Sequence, residues 1–576
     1  MKIDQHVTAL AAQASDLWQL DGCGVTRALR VIPLLLHHSA WVADADTAAA
    51  QTQVLLVGGL SGTAADVALA LQALAAYRED AAQVQPQLAL SAVPCANPDG
   101  LAQSVAPENG VGGVPAEGYP PVDNFYHDAT NPEARYLWRW ICYQAPDLVL
   151  EVCAGEQPHW EASEPFVRAF PQAAATLRPA FLTPSDSLLG ALARTAPDHL
   201  APLACLRLFC PPEALPDTLY KLWPLLAQAT PHQLGGARQV LMERQARPPL
   251  TIGHRLAAVY GYQLDPVVYT QGVAISGRLR LAQLDGQSPD PTPGIADLVE
   301  PYLSGAKPLF PGQAGGANLA GLVWADELAA ATGDQRYAKL LVETADRYRT
   351  AHANGVPTPS DPDYRVEDMF FSATMLGRAF KLTGDATYLP ILTRFLLEAN
   401  VQQADGLCWH DRSTPFYWGR GNGFAALGFA EALTYLPESH PDRAALLAIH
   451  RNHLAALLRH QHASGLWRQV VDFPGSYLEL SATCMIGYAL ARGLRLGWLD
   501  ATFQAALGQA WRGVAARIDD QGGLVDVCTG TGVQKTLRAY LDRPAIFGRD
   551  ERGGALALWF AVEMAQYISE NGFFTK

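Results

Sequence analysis

The chain has 576 residues, more than one hydrophobic core usually organises, which predicts two domains or a large barrel with an appendage. Its 49% hydrophobic and 17% charged residues describe a folded globular protein and exclude a disordered or fibrous one. A formal charge of −14 without any Lys/Arg run excludes nucleic acid as a partner, because phosphate contacts need a concentrated basic surface.

The first twenty residues lack the basic start, apolar run and small-residue cleavage site of a secretory signal. No later segment reaches the roughly 18 uninterrupted apolar residues of a membrane helix, so no membrane partner is expected. Nine cysteines, an odd number, are scattered without a C-x-x-C pair. That pattern suits buried thiols in a reducing compartment and leads to the expectation of a cytoplasmic protein.

Residues 51–160 alternate apolar runs with amphipathic stretches. Strands are predicted at Val54–Gly59, Leu88–Val93 and Leu148–Cys153, with helices at Ala65–Tyr77 and Ala134–Tyr143, an open α/β sheet. Beyond residue 230 the strand-like runs fade. From Leu256 onward amphipathic helices are separated by Gly, Pro and Asp turns, and Arg247-Pro248-Pro249 marks the expected seam between domains 1–247 and 250–576.

Ala331-Thr332-Gly333-Asp334-Gln335-Arg336-Tyr337 recurs as Leu382-Thr383-Gly384-Asp385-Ala386-Thr387-Tyr388. Each copy ends a helix at Gly and starts the next within a few residues, so the repeated unit is a helical hairpin. Six units of about that length fill the chain from Leu256 to its end, which predicts an all-α (α/α)6 barrel over an open helical solenoid.

Six stretches between residues 265 and 562 resemble the unsaturated glucuronyl and rhamnogalacturonyl hydrolases of glycoside hydrolase families 88 and 105, in the family's order. The most specific is Trp418-Gly419-Arg420-Gly421-Asn422-Gly423. The resemblance implies hydration of the double bond that a polysaccharide lyase leaves on a terminal uronate. A carboxylic acid protonates the vinyl ether, water adds at C5, and the hemiketal collapses with release of the sugar. Such chemistry needs a carboxyl acid, a donor-rich site for the uronate carboxylate and an aromatic wall for the ring.

By this resemblance Glu367, followed by Asp368, stands in the acid's place, where the family carries Asp. His410 matches a substrate-contacting histidine, Trp418 the wall, and Arg420 a bidentate carboxylate partner. Asn422 completes that motif, and Tyr269 matches the family's tyrosine. Two departures stand out. Gly316 takes the place of a second aspartate, for which Asp326 or Asp363 is a substitute, and Arg552 stands where the family shows His. Neither cofactor nor metal is implied for the barrel.

The first domain resembles the zinc carboxypeptidase and deacylase superfamily over residues 50–215. The resemblance rests on Val57–Ala64, Asn97-Pro98-Asp99-Gly100, Asp123-Asn124-Phe125 and Pro146–Cys153. The family's His, Glu and His zinc ligands read Ser61, Ala64 and Cys153, so no catalytic zinc is expected. A weaker reading makes Ser61 an esterase nucleophile with His127 or His159 as base. The domain is better read as shaping the barrel mouth or mediating self-association into a homo-oligomer.

The expectation for the whole is an oligosaccharide-cleaving hydrolase that removes an unsaturated uronic acid. A glycosidase for a saturated uronic acid and an inactive sugar-binding protein are the alternatives.

Overall fold

The computed structural model describes residues 3–41, 51–84, 86–121, 128–183, 185–194, 200–228, 235–286, 289–310 and 312–571. Asp123-Asn124-Phe125 and His127 lie outside these. The chain divides into two compact units, Met1–Arg244 with Phe473–Tyr477, and Gln245–Asp472 with Leu478–Lys576. No described helix is long and apolar enough to cross a membrane.

The first unit is built on an eight-stranded mixed sheet. Its strands are β1 (Trp18–Val25), β2 (Val31–His37), β3 (Thr52–Gly58), β4 (Leu88–Val93), β5 (Leu148–Ala154), β6 (His159–Ala162), β7 (Ala180–Phe181) and β8 (Ala204–Cys210). They lie in the order β1-β2-β4-β3-β5-β8-β6-β7. Strands β4, β3, β5 and β8 run parallel. Their residues are buried almost throughout, as expected of strands covered on both faces. Helices Ala64–Val84 and Leu215–Ala227 pack together against this centre. The three strands and two helices read from the sequence are present, with β1, β2, β6, β7 and β8 in addition.

The second unit is a double ring of helices. Six inner segments, Tyr269–Leu284, Gly316–Leu319 continuing to Ala325–Thr332, Glu367–Thr383, Gly419–Tyr435, Leu480–Arg495 and Glu551–Asn571, pack each on the next, and the last closes on the first. An outer helix precedes each one: Pro249–Ala257, Thr292–Leu303, Gln335–Ala345, Tyr388–Glu398, Arg443–Leu458 and Gln504–Ala516. The first outer helix opens at Pro249, because Pro at the first helical turn starts it directly after Arg247 and Pro248.

The sequence separates the rings by burial. The inner helix Gly419–Tyr435 is buried continuously from Gly419 to Leu433, whereas the outer helix Gln335–Ala345 buries only Tyr337, Leu341, Thr344 and Ala345. Both repeat glycines close their helices in the left-handed region, with φ 76° at Gly333 and 69° at Gly384. Because outer and inner helices alternate, all inner helices start at one mouth of the barrel and end at the other.

Inner helices cross closely where glycine permits it. A Cβ at Gly428 would lie 2.6 Å from the Met369 carbonyl carbon, two residues beyond Glu367. Backbone cannot retreat as a side-chain tip does, so Gly428→Ala is expected to destabilise the barrel by about 1–3 kcal/mol. Urea unfolding followed by circular dichroism checks this, and an unchanged midpoint would mean that the crossing tolerates the extra carbon.

Candidate active site

The mouth formed by the inner-helix N-termini gathers most of the residues singled out in the sequence. Glu367 and Asp368 open their helix, and Trp418 is the residue before the next. His410 sits in the turn between them, its backbone N–H donating to Phe416 O (3.2 Å) and its carbonyl accepting from Val366 N (3.0 Å). The strand-like turn thus fixes His410 against the start of the Glu367 helix.

His410 Nε2 lies 3.2 Å from Glu367 Oε2, and its Nδ1 lies 2.5 Å from Tyr540 Oη. The Gln534 N–H donates to Tyr540 Oη at 3.1 Å, which leaves the phenolic hydrogen and one lone pair to meet Nδ1. When the phenol donates to Nδ1, the ring proton resides on Nε2 and is directed at Glu367. The imidazole also packs on Trp418 at a ring separation of 4.5 Å. Trp418 is 1% exposed, and its Nε1 has no hydrogen-bond partner.

The two neighbouring acids occupy different environments. Glu367 faces His410, with Arg365 Nε 3.7 Å from its other oxygen. Asp368 is fully buried; Oδ2 accepts from Asp361 N at 2.9 Å, while Oδ1 has no hydrogen bond. Burial pushes the Asp368 carboxyl up to about 7, against the opposing pull of Arg365 and the Asp361 amide. A Cβ at Gly316 would stand 2.5 Å from Asp368 Oδ1. The carboxyl of Asp368 thus occupies the space that a side chain at position 316 would need.

Neither acid considered as a substitute for residue 316 belongs to this constellation. Asp326 is ion-paired with Arg378, eleven residues and roughly 16 Å along the helix from Glu367. Asp363 accepts from Ser413 N and lies in the loop before the helix.

Arg420 does not present an open fork. Nη1 donates to Cys528 O (2.5 Å) and Ser481 Oγ (3.2 Å), and Nη2 donates to Thr529 O (2.6 Å), so the guanidinium pins the 528–529 loop. The sequence motif alone leaves these carbonyl partners, more than 100 residues away, invisible. Asn422 is likewise a brace. Its Oδ1 accepts from Cys408 N (2.9 Å) and His453 Nε2 (3.0 Å), and Nδ2 donates to Cys408 O and Trp418 O (both 3.0 Å). It holds the chain two residues before His410.

Tyr269 packs against Phe371 and Phe424, at ring separations of 5.2 and 5.5 Å. Burial raises its hydroxyl pKa, while Arg420 and Arg552 act in the opposite direction. Arg552, at the start of the last inner helix, pairs with Asp550 (2.5 Å) and keeps 31% of its side chain exposed. Tyr540 and Arg365 are site residues that the sequence reading passed over. Tyr540 falls inside one of the resembling stretches, but its role rests on a contact 130 residues distant.

In the first unit, Ser61 follows β3, and its hydroxyl donates to Asp66, whose other oxygen accepts from Ala154 N at 2.7 Å. The His159 ring stacks on Phe209. The Cys153 thiol lies 3.7 Å from Glu151 Oε1, and burial with that neighbouring carboxylate pushes its pKa up, away from the thiolate.

Residues 410–568 match the profile of Glycosyl Hydrolase Family 88. The chain is 34% identical over 149 residues to the unsaturated rhamnogalacturonyl hydrolase YesR of Bacillus subtilis (strain 168), covering 26% of this chain and 41% of that protein. It is 32% identical over 171 residues to Protein Atu3128 of Agrobacterium fabrum (strain C58 / ATCC 33970), covering 26% of this chain and 73% of that protein. A solved family 105 glycoside hydrolase of C. acetobutylicum ATCC 824 aligns with TM-score 0.47 and 21% identity, over 55% of this chain and 99% of that one. Through its C-terminal unit the chain belongs to Glycosyl Hydrolase Family 88.

The raised Asp368 pKa has a thermodynamic consequence. The folded state holds this proton between the unfolded pKa near 3.8 and the folded value of about 7, so the destabilising contribution grows as pH rises through that window. Asp368→Asn removes the titration and keeps an oxygen for the Asp361 amide. Its stability relative to wild type is expected to improve from pH 4 to pH 7, by up to about 4 kcal/mol. A difference independent of pH in urea titrations would contradict the assignment.

Proposed function

We propose that the C-terminal unit removes a terminal 4,5-unsaturated uronic acid from oligosaccharide fragments by hydrating the double bond, with Glu367 as proton donor and water as cosubstrate. Family membership and the rhamnogalacturonyl hydrolase relative support the reaction class. The observation that carries the mechanism is the unequal disposition of the two acids. Glu367 is held by the Tyr540–His410 pair at the mouth, while the Asp368 carboxyl is buried toward Gly316. A direct attack at the anomeric carbon needs two carboxyl groups flanking the sugar, about 5–9.5 Å apart with the bond between them. Protonating an enol ether needs one.

In the proposed reaction Glu367 gives its proton to C4, water adds at C5, and the resulting hemiketal opens with loss of the aglycone. His410 Nε2–H stabilises the carboxylate that Glu367 becomes. Tyr269 supplies the apolar wall, with Trp418 backing the His410 ring. With Arg420 engaged by backbone carbonyls, the partly exposed Arg552 is the cation we assign to the uronate carboxylate. The positive ends of six inner helices add to the field at this mouth.

For the N-terminal unit we infer a carboxypeptidase-like scaffold without catalytic zinc. Ser61 and Cys153 are engaged with Asp66 and Glu151, and Ala64 has no ligand atom. Nine free thiols support a reducing, cytoplasmic setting.

The decisive assay follows loss of the ultraviolet absorbance of the conjugated uronate in lyase-digested pectin and glycosaminoglycan fragments. Glu367→Gln is expected to lose about 10²–10⁴-fold in kcat. Wild-type rates in that variant, or release of sugar with absorbance intact, would overturn the reading. Arg552→Gln is expected to raise KM about tenfold with a smaller change in kcat. Tyr540→Phe, which frees the His410 tautomer, is expected to lower kcat about tenfold with KM nearly unchanged; the reverse split would place Tyr540 in binding instead.

A further inference from the structure

The far end of the barrel, where the inner helices finish, contains a cavity of about 740 Å³. That volume falls within the range of about 300–1,000 Å³ typical of small-molecule sites. Its lining includes Arg280, Arg378, Lys381, Arg492 and Arg495, contributed by three inner helices, together with Glu327 and Glu563.

Behind and between these cations runs a buried ion-pair network. Arg280 Nε meets Glu327 at 2.8 Å, and Arg378 Nη1 meets Asp326 at 2.5 Å and Glu327 at 3.0 Å. Arg492 bridges Glu431 (3.0 Å) and Glu563 (2.6 Å), and Arg495 Nε reaches Glu563 at 2.9 Å. Burial pushes Glu327, Glu431 and Glu563 up, but the guanidiniums outweigh it and hold all three below the usual carboxylate range. Five cations thus stand against five carboxylates, counting Asp326 and Glu570, which Arg495 Nη1 meets at 3.4 Å.

Arginines at helix C-termini complement exposed carbonyls and the negative end of the helix dipole. That accounts for their gathering but not for the space they face, nor for the donors left over. Arg378 is 1% exposed, yet its Nη2 has no hydrogen-bond acceptor; the nearest carboxylate oxygen, on Glu431, is 3.8 Å away. Lys381, 64% exposed at the rim, comes no nearer than 3.8 Å to Asp326. A buried guanidinium nitrogen without an acceptor is costly, and a bound oxyanion removes that cost.

We propose that this cavity is a second ligand site, which takes a small organic anion bearing two or more carboxylate or phosphate groups, held by Arg378 within and by Arg495 and Lys381 at the rim. One charged group satisfies Arg378 Nη2, and a second reaches the rim cations. The site lies at the opposite ends of the same helices that carry Glu367 and Trp418, so its occupancy is independent of the proposed reaction.

The test uses the full-length protein and two probes, citrate and inorganic phosphate, against sodium chloride of matched ionic strength. Thermal unfolding is expected to shift upward saturably with at least one probe, and titration calorimetry to return the same affinity for wild type and Glu367→Gln. Citrate alone would assign carboxylates, phosphate alone phosphate esters. Arg495→Gln and Lys381→Glu are each expected to weaken binding about tenfold. Lys381 is exposed, so its variant keeps the test valid if Arg495→Gln does not fold. No saturable shift beyond chloride, or unchanged affinity in Lys381→Glu, would overturn the proposal.

Discussion

The common direction of the six inner helices is the constraint on which everything else depends. Helices that alternate outer and inner bring every inner N-terminus to one mouth and every inner C-terminus to the other. The first mouth collects Tyr269, Gly316, Glu367, Trp418 and Arg552, each within a few residues of a helix start. The second collects Arg280, Arg378, Arg492 and Arg495, each in the last two turns of its helix. The two ends differ in polarity because the peptide dipoles differ, and the side chains follow that difference.

Within the first mouth the residues divide into those that face the cleft and those that hold them. Asn422 braces the chain beside His410 at Cys408, Arg420 holds the loop at 528–529, and Tyr540 meets the ring of His410. The result is a carboxyl group whose orientation is set by two side chains behind it, which is the preorganisation that proton transfer demands. Gly316 and Asp368 illustrate the same economy in reverse: absence of a side chain at one position makes room for the buried carboxyl of the other.

The sequence displayed the barrel through its punctuation. Gly333 and Gly384 are legible because a left-handed helix end selects glycine, and two copies at equal spacing reveal the hairpin period. His410, Trp418 and Arg420 were legible as an ordered set ahead of a Gly-rich helix start, and the structure packs His410 on Trp418 and beside Glu367. Arg420 shows where such reading stops. Its type and position suggest a carboxylate clamp, whereas its partners are carbonyls that only the fold brings near. Tyr540 and the far-end arginines were hidden for the same reason, since their contacts join helices dispersed over the whole domain. In the first unit, β1, β2 and β8 escaped because they lie outside the βαβ rhythm of residues 51–160, and β6 and β7 because they are only four and two residues long.

The central claim is that the double bond itself is the reacting group. Turnover of a lyase-generated uronide in heavy water, followed by proton and carbon NMR of the released sugar, tests it directly. Hydration predicts loss of the C4=C5 signals and entry of one deuteron at C4 in the earliest product. Release of a uronate that keeps its double bond, with no deuterium at C4, would contradict the account and return the site to anomeric hydrolysis.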